Sequence, residues 1–167
     1  MTSPASTTVS GPFDHPAYLQ RCHNIVTVLE HNLPWKHISI VDLGCGSGAV
    51  GEHFARTGRR VLFVDGRDEH IEALILKGMS VRRHDVQEPL LGIKADVVLC
   101  LGLLYHSEDP QKILQNCAQI ADIICVETLC MDQSGIYFLS FQEETGRHDQ
   151  SLDGGCCRFS PSWAERA

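Results

Sequence analysis

The sequence predicts an α/β protein with a doubly wound, mostly parallel sheet of Rossmann-like architecture, flanked by helices. Short apolar runs rich in Val, Ile and Leu alternate with longer segments of helical periodicity through most of the chain. The first apolar run, residues 38–43, leads into glycines at alternate positions, Gly44, Gly46 and Gly48. A strand, a glycine-rich turn and a helix in this order are typical of a ligand-binding corner in such sheets.

Length and charge limit the classes of function. A chain of 167 residues fits one domain with a buried core. The formal net charge of −7 disfavours nucleic acid and anionic membranes as partners. The longest apolar run, residues 97–105, is too short to cross a membrane, and the Ser/Thr-rich start lacks a signal-peptide pattern. We therefore expect a cytoplasmic protein without a membrane segment.

Eight cysteines raise the question of disulfides or a metal site. No two of them have Cys-x-x-Cys spacing, and most fall on predicted core elements, so small buried hydrophobic side chains are expected. Cys156 and Cys157 are adjacent, and neighbouring cysteines are poor joint ligands for one metal ion. No metal site is predicted, and the role of this pair stays open.

The chain begins with two elements before the glycine-rich turn. Residues 1–14 are polar and contain prolines, and we expect a flexible tail. From Pro16 to about Asn32, apolar residues recur at helical spacing with proline in the first turn. This pattern predicts a leading helix that lies outside the strand and helix repeat.

Two further units follow the turn. A helix is expected over residues 49–57 and a second strand over residues 60–64. Asp68 is expected to cap a helix that ends at Gly78. The third strand covers residues 80–83.

The second half of the sheet starts with residues 96–101, which are apolar enough for a strand buried on both faces. A helix over residues 110–119 and a fifth strand over residues 123–127 follow. Right-handed crossovers then place the strands in the spatial order 3-2-1-4-5. The strand and helix domain is expected to span residues 15–130.

Two carboxylates indicate the ligand. Asp42, at the end of the first strand, would repel a pyrophosphate and stabilise an ammonium group. Asp65, at the end of the second strand, lies where an acid reaches a ribose diol. A ribose on one side and an amine on the other describe S-adenosylmethionine.

These residues resemble the motifs of a known family. Val41-Asp42-Leu43-Gly44-Cys45-Gly46-Ser47-Gly48 resembles the first motif of the class I S-adenosylmethionine-dependent methyltransferases, and Phe63-Val64-Asp65-Gly66 resembles the second. The resemblance runs from about residue 16 to about residue 128. It implies the following cofactor-binding residues: Asp42, Gly44, Cys45, Gly46, Ser47, Gly48, Asp65, Gly66, Asp85, Val86 and Leu101.

The adenine contacts come from the same resemblance. His84-Asp85-Val86 occupies the place where the family holds the adenine, with Asp85 accepting from the amino group and the Val86 backbone serving a ring nitrogen. The alternative is that Asp85 is only a turn residue after the third strand.

The loop after the fourth strand, residues 102–107, is expected to face the transferable methyl group. His106 is the candidate catalytic base, and the alternative is a helix cap or a backbone hydrogen bond. Tyr105 either lines the cofactor site and orients the acceptor or belongs to the core. The loop also resembles that of transfer-RNA wobble-uridine carboxymethyltransferases, but the acidic chain argues against their substrate.

Residues 131–167 break the strand and helix rhythm. They contain an apolar segment at 137–141 and the start of a helix at Ser160. Residues 141–163 resemble a region of bacterial methyltransferases that act on small molecules or saccharides. That resemblance implies a substrate lid, although an ordinary polar loop explains any single one of its polar residues better: Gln142, Asp149, Gln150 and Arg158.

Compared with the resembled family, the chain lacks the last strands of the sheet. The edge of the fifth strand would then be open, and a homodimer or a partner chain is expected to cover it. The sequence predicts methyl transfer from S-adenosylmethionine to a small-molecule acceptor. The alternatives are a transfer-RNA methyltransferase and a non-catalytic S-adenosylmethionine-binding module. An NAD-dependent oxidoreductase ranks last, since Asp42 carries the wrong charge and no Tyr-x-x-x-Lys pair is present.

Overall fold

A computed structural model describes residues 12–33, 37–131, 139–143 and 155–164. The helices are α1 (Pro16–Asn32), α2 (Ala49–Arg56), α3 (Asp68–Leu76), α4 (Pro110–Ile120) and α5 (Pro161–Ala164). The strands are β1 (Ser39–Leu43), β2 (Arg60–Asp65), β3 (Ser80–Arg83), β4 (Val97–Leu101), β5 (Ile123–Glu127), β6 (Leu139–Glu143) and β7 (Gly155–Phe159).

Five strands form a parallel sheet in the order β3-β2-β1-β4-β5, which confirms the predicted topology. Leu43, the last residue of β1, pairs with Val64 of β2 on one side and with Cys100 of β4 on the other. The carboxyl ends of the three central strands therefore meet at one edge of the sheet.

Helices cover both faces because β1 is apolar on both. Ile40 packs with α1, α2 and α3 in one buried cluster that includes Phe54 and Phe63. Val41 and Leu43 pack on the opposite face with α4, where Ile113 is fully buried. These two cores fix the position of the edge where the strands end.

The start of α3 differs from the prediction. Asp68 does not cap this helix: Arg67 is the capping residue and forms no side-chain cap bond, and Asp68 is the first helical residue. In this turn the carboxylate of Asp65 accepts the backbone N–H of Arg67, at 2.9 Å. Asp68 turns outward instead and pairs with Arg83 Nε at 2.6 Å.

Two segments form structure that the sequence did not indicate. Pro12–Asp14, expected to belong to the flexible tail, is a short 3₁₀-helix. β7, to which no strand was assigned, pairs antiparallel with β6 in a second sheet. The thiol of Cys157 in β7 is buried and donates to the carbonyl oxygen of Leu104 at 3.2 Å. The second sheet therefore packs against the loop that follows β4.

The cysteine and edge-strand predictions have separate outcomes. Six of the cysteines are buried, Cys125 is half-buried and Cys130 is exposed, and all are free thiols.

β5 is an edge of the large sheet in the described part of the chain, and Ile123 and Val126 on it are 40% and 44% exposed. A partner that covers this edge stays a prediction. No helix within the described ranges has the length and apolar character that a bilayer crossing requires.

Candidate functional site

The glycine-rich turn joins β1 to α2 at the carboxyl edge of the sheet. The backbone N–H groups of Gly44 and Cys45 donate to the carbonyl of Val64 at 2.8 and 3.1 Å, which ties the turn to β2. Gly44 has a φ of 66°, and a Cβ there would lie 2.6 Å from the side chain of Leu103. Position 44 therefore requires glycine both for its backbone angle and for its close contact with the loop after β4.

Asp65 connects the two sequence motifs. Its Oδ2 accepts the backbone N–H of Gly46 at 2.8 Å, and its Oδ1 accepts that of Arg67 at 2.9 Å. Burial by itself raises the pKa of Asp65, but the nearby His70 ring and these two N–H donors outweigh it, so the pKa is lowered. Asp65 is therefore a carboxylate with a fixed orientation and with lone pairs left for further donors.

A cavity of about 610 Å³ lies above this turn. Seven of the predicted cofactor or catalytic residues line it, together with residues that the sequence did not indicate, such as Arg67, His70 and Gln87. The seven are Gly44, Gly46, Asp65, Gly66, Asp85, Val86 and His106. The structure thus brings together residues from four separate segments of the chain.

Asp85 is a turn residue that also lines the cavity, and its contact with an adenine stays a prediction. Its Oδ1 accepts the backbone N–H of Gln87 at 2.9 Å, as in an ordinary turn after a strand. The residue is exposed and also lines the cavity, as Asp65 does. The carbonyl of Val86 accepts from Asn116 of α4 at 3.0 Å, which fixes the backbone here.

A second cavity of about 480 Å³ adjoins the first and shares Gly44, Gly46, Gly102 and His106 with it. Its other walls include three predicted site residues and three residues from the start of the chain. These are Cys45, Leu101 and Tyr105, and Phe13, Tyr18 and Arg21. The two cavities form one elongated site at the carboxyl edge of the sheet.

Arg21 of α1 lines the second cavity. Its Nε lies 3.0 Å from Oε1 of Glu127 at the end of β5, and its Nη2 contacts the other carboxylate oxygen. Gly102 has a φ of 67°, so glycine is favoured there, and a Cβ would also displace this guanidinium. Sequence reasoning missed Arg21, although a cation on the helix face that carries Tyr18 and Ile25 was a usable signal.

Asp42 is not on the walls of the two joined cavities. It is 4% exposed and lines a small cavity behind the turn, with Tyr18 and Arg21 among its neighbours. Burial, partly offset by the backbone N–H of Gly51 and reinforced by Asp65, raises the pKa of Asp42 to about 7. A Cβ at position 51 would overlap the Asp42 carboxylate, so Gly51 is what allows α2 to approach.

Ser47 and Gly48 also lie away from the walls of both cavities. The hydroxyl groups of Ser47 and Tyr18 are 3.3 Å apart, which links the turn to α1. Gly48 precedes α2, and a Cβ there would lie 2.7 Å from Leu74. The structure gives these two predicted residues a role in shaping the turn.

His106 lies at the junction of the two cavities. It ends a 3₁₀-turn, Leu104–His106, and its ring centroid is 4.3 Å from that of Tyr105. The suggestion that His106 caps the next helix is wrong, because the side chain of Asp109 caps α4 by accepting from Lys112 N at 2.9 Å.

Residues 41–122 match a family described as "Methyltransferase domain". These residues include the glycine-rich turn, Asp65, Asp85 and the loop with His106. The chain carries a class I S-adenosylmethionine-dependent methyltransferase domain.

Curated relatives of this methyltransferase domain match about half of the chain. A protein of Cupriavidus pinatubonensis named ubiquinone biosynthesis O-methyltransferase is 32% identical over 89 residues, covering 48% of this chain and 36% of that protein. One of the same name from Maricaulis maris is 34% identical over 95 residues, covering 52% and 37%. The chain spans well under half the length of these relatives.

Solved structures share the fold. The N-terminal domain of EvdMO1, crystallised in the presence of SAH and D-fucose, has a TM-score of 0.69 at 22% identity, covering 92% of this chain and 71% of that one. Magnesium protoporphyrin IX methyltransferase from Synechocystis PCC 6803, with bound SAH, has a TM-score of 0.56 at 22% identity, covering 64% and 54%. These likenesses support the methyltransferase fold that the strand order shows.

Of the four predicted lid residues, Arg158 is the one whose side chain the structure describes. Arg158 in β7 donates from Nη1 to the carbonyl of Cys157 at 2.9 Å and lines neither cavity. Gln142 is in β6, and Asp149 and Gln150 lie outside the described residues. A lid from this segment stays a prediction.

Phe13 is another site residue that the sequence did not indicate. Its ring makes edge contacts with Tyr18 and His70 at centroid distances of 5.1 and 5.4 Å. A Cβ at Gly46 would lie 3.1 Å from the Phe13 ring. No local pattern marks Phe13, because its partners come from α1, α3 and the turn.

Proposed function

We propose that this chain binds S-adenosylmethionine and transfers its methyl group to a small-molecule acceptor. The observation that supports this most strongly is the convergence of Asp65, Asp85 and the glycine-rich turn on one cavity. That cavity continues past Gly44 and Gly46 to a second one, which reaches His106 and Tyr105. A long ligand with a nucleoside at one end and a charged amino acid at the other matches this shape.

The residues at the nucleoside end fit the cofactor. Both Asp65 oxygens are held by backbone donors, so the carboxylate is oriented before a ribose diol arrives. Asp85 is exposed to the same cavity and accepts hydrogen bonds, as an adenine amino group requires. Gly46 has a φ of 53° and no side chain, so a ligand can approach its backbone directly.

The residues at the other end carry charges that complement an amino acid. Arg21 lines the second cavity and its guanidinium suits a carboxylate. Asp42 lies in the small cavity that also contains Arg21 and Gly44, and an ammonium group nearby would favour its ionised form. We therefore assign the methionine carboxylate to Arg21 and its ammonium group to the vicinity of Asp42.

The chemistry requires little of the protein beyond alignment. S-adenosylmethionine supplies an electrophilic methyl group on a sulfonium when it is bound. His106 lies at the junction of the cavities and can accept the proton of an acceptor hydroxyl or amine as the new bond forms. Tyr105 lies against His106 and is placed to orient that acceptor.

A small molecule is the acceptor class that fits best. The net charge of −7 opposes the electrostatic attraction on which nucleic-acid binding depends. The curated relatives with 30% identity or more are named as acting in ubiquinone biosynthesis, which involves a small molecule. The acceptor atom is not specified by the residues.

The proposal is tested by release of S-adenosylhomocysteine from S-adenosylmethionine. The purified chain is incubated with separate pools of phenols, amines and sugars, and with transfer RNA as the comparator. We expect product release with at least one small-molecule pool and none with RNA. Release only with RNA would assign the other acceptor class, and cofactor binding without release from any pool would indicate a binding module.

A further inference from the structure

His70 is a partly buried ring in the wall of the cavity above the glycine-rich turn. It lies in the first turn of α3, its side chain is 15% exposed, and it lines the cavity beside Asp65 and Gly66. The sequence motifs give no role to this position.

The contact between His70 and Asp65 is close but misaligned. Nδ1 of His70 is 3.1 Å from Oδ1 of Asp65. The same nitrogen is fully buried and has no well-aligned hydrogen bond to any described residue. Buried polar atoms without an aligned partner are rare in proteins, because each one loses its hydrogen bonds to water.

Two other contacts restrict the pair. Asp65 is held from the turn side by the N–H groups of Gly46 and Arg67, at 2.8 and 2.9 Å. The His70 ring is held by the edge of Phe13, with the planes at 76°. Nδ1 of His70 is therefore the third nitrogen beside the Asp65 carboxylate, after those of Gly46 and Arg67.

We propose that His70 is a positioning residue that acts through Asp65 on the ribose of the cofactor. Nδ1–H of His70 completes a set of three donors, and this set aims the remaining lone pairs of the carboxylate at the two ribose hydroxyls. His70 thereby makes binding depend on a ribose with both hydroxyls free. This inference rests on the proposed binding of S-adenosylmethionine.

Three variants separate the two ring nitrogens. His70→Asn places an amide nitrogen close to the position of Nδ1, His70→Gln places it close to that of Nε2, and His70→Leu removes both. Each is titrated calorimetrically with S-adenosylhomocysteine and with an analogue that lacks both ribose hydroxyls. Thermal melting of each variant checks that it is folded.

We expect His70→Leu and His70→Gln to bind S-adenosylhomocysteine roughly tenfold more weakly, and His70→Asn to retain most of the affinity. The preference of the wild type for the hydroxylated ligand should fall by the same factor in the Leu and Gln variants. A merely structural role would weaken both ligands equally and leave that preference unchanged, which would overturn the inference. Unchanged affinity in all three variants would overturn it as well.

The wild-type titration distinguishes this inference from the proposed function. If the wild type does not bind S-adenosylhomocysteine, both are wrong. If the wild type binds and the His70 variants behave like it, only the role of His70 is wrong.

Discussion

The carboxylate of Asp65 at the end of β2 accepts a 2.8 Å hydrogen bond from the backbone N–H of Gly46 in the turn after β1. The two motifs that stand nineteen positions apart in the sequence are therefore one physical unit. The carboxylate orients the turn, and the turn orients the carboxylate. Cofactor affinity and local order in the turn should respond together when this contact changes.

Replacing Asp65 with Asn tests this unit. Asn keeps one oxygen acceptor and the volume, but it removes the charge that would hold the ribose hydroxyls. We expect the affinity for S-adenosylhomocysteine to fall by about 2 kcal/mol, or roughly 30-fold, since hydrogen bonds to charged groups contribute about that much. Calorimetric titration measures it, and an unchanged dissociation constant would remove Asp65 from the cofactor site.

The raised pKa of Asp42 predicts a pH-dependent stability. The folded chain holds this proton up to about pH 7, whereas the unfolded chain releases it near the ordinary value of 3.8. The free energy of unfolding therefore falls as the pH rises through this window and levels off above it. The free energy of unfolding of Asp42→Asn, relative to that of the wild type, should therefore rise by up to about 4 kcal/mol between pH 4 and pH 7, at about 1.4 kcal/mol per pKa unit.

Denaturant melts of the two proteins across this pH range give the difference directly. Groups that do not interact with Asp42 contribute equally to both proteins and cancel from the difference. Asp65 has a lowered pKa, so its effect has the opposite sign and lies at lower pH. A difference between Asp42→Asn and the wild type that does not change with pH would show that Asp42 is ionised throughout.

Arg21 should recognise the amino acid end of the cofactor. Arg21→Met keeps the packing of the side-chain stem but removes the carboxylate partner. We expect at least tenfold weaker binding of S-adenosylhomocysteine and unchanged binding of 5′-methylthioadenosine, which has no amino acid group. Glu127→Gln is the control, because it leaves the guanidinium in place without its ion pair. Equal losses for both ligands in Arg21→Met would mean that Arg21 only supports the fold.

His106 should affect turnover and not cofactor binding. With an acceptor identified from the small-molecule pools, His106→Gln is expected to lower kcat by on the order of 10² or more, as for removal of a general base. Its affinity for S-adenosylhomocysteine should stay close to that of the wild type. A parallel loss of kcat, affinity and melting temperature would instead mark His106 as a structural residue.

The sequence predicted the parts of the site that are encoded locally. The glycines of the turn and Asp65 are recognisable because a strand end and its turn are contiguous in the chain. The strand order followed from the right-handed crossover rule and the strand and helix repeat. Each of these predictions depends on residues a few positions apart.

The residues that were missed depend on contacts across the fold. Phe13 contacts His70, which lies 57 positions later in the sequence, and Arg21 contacts Glu127, which lies 106 positions later. The Asp68 cap failed because its carboxylate pairs with Arg83 of β3 instead. β7 lacks an alternating pattern, and the sequence left the role of its two cysteines open. No local pattern encodes such relationships, so only the folded arrangement shows them.

The most direct test of cofactor binding is calorimetric titration of the purified chain with S-adenosylmethionine, S-adenosylhomocysteine and NAD. The joined cavities, with Asp65 at one end and Arg21 at the other, predict micromolar binding of the first two ligands and no binding of NAD. A folded chain that binds neither S-adenosylmethionine nor S-adenosylhomocysteine would contradict the proposed cofactor site.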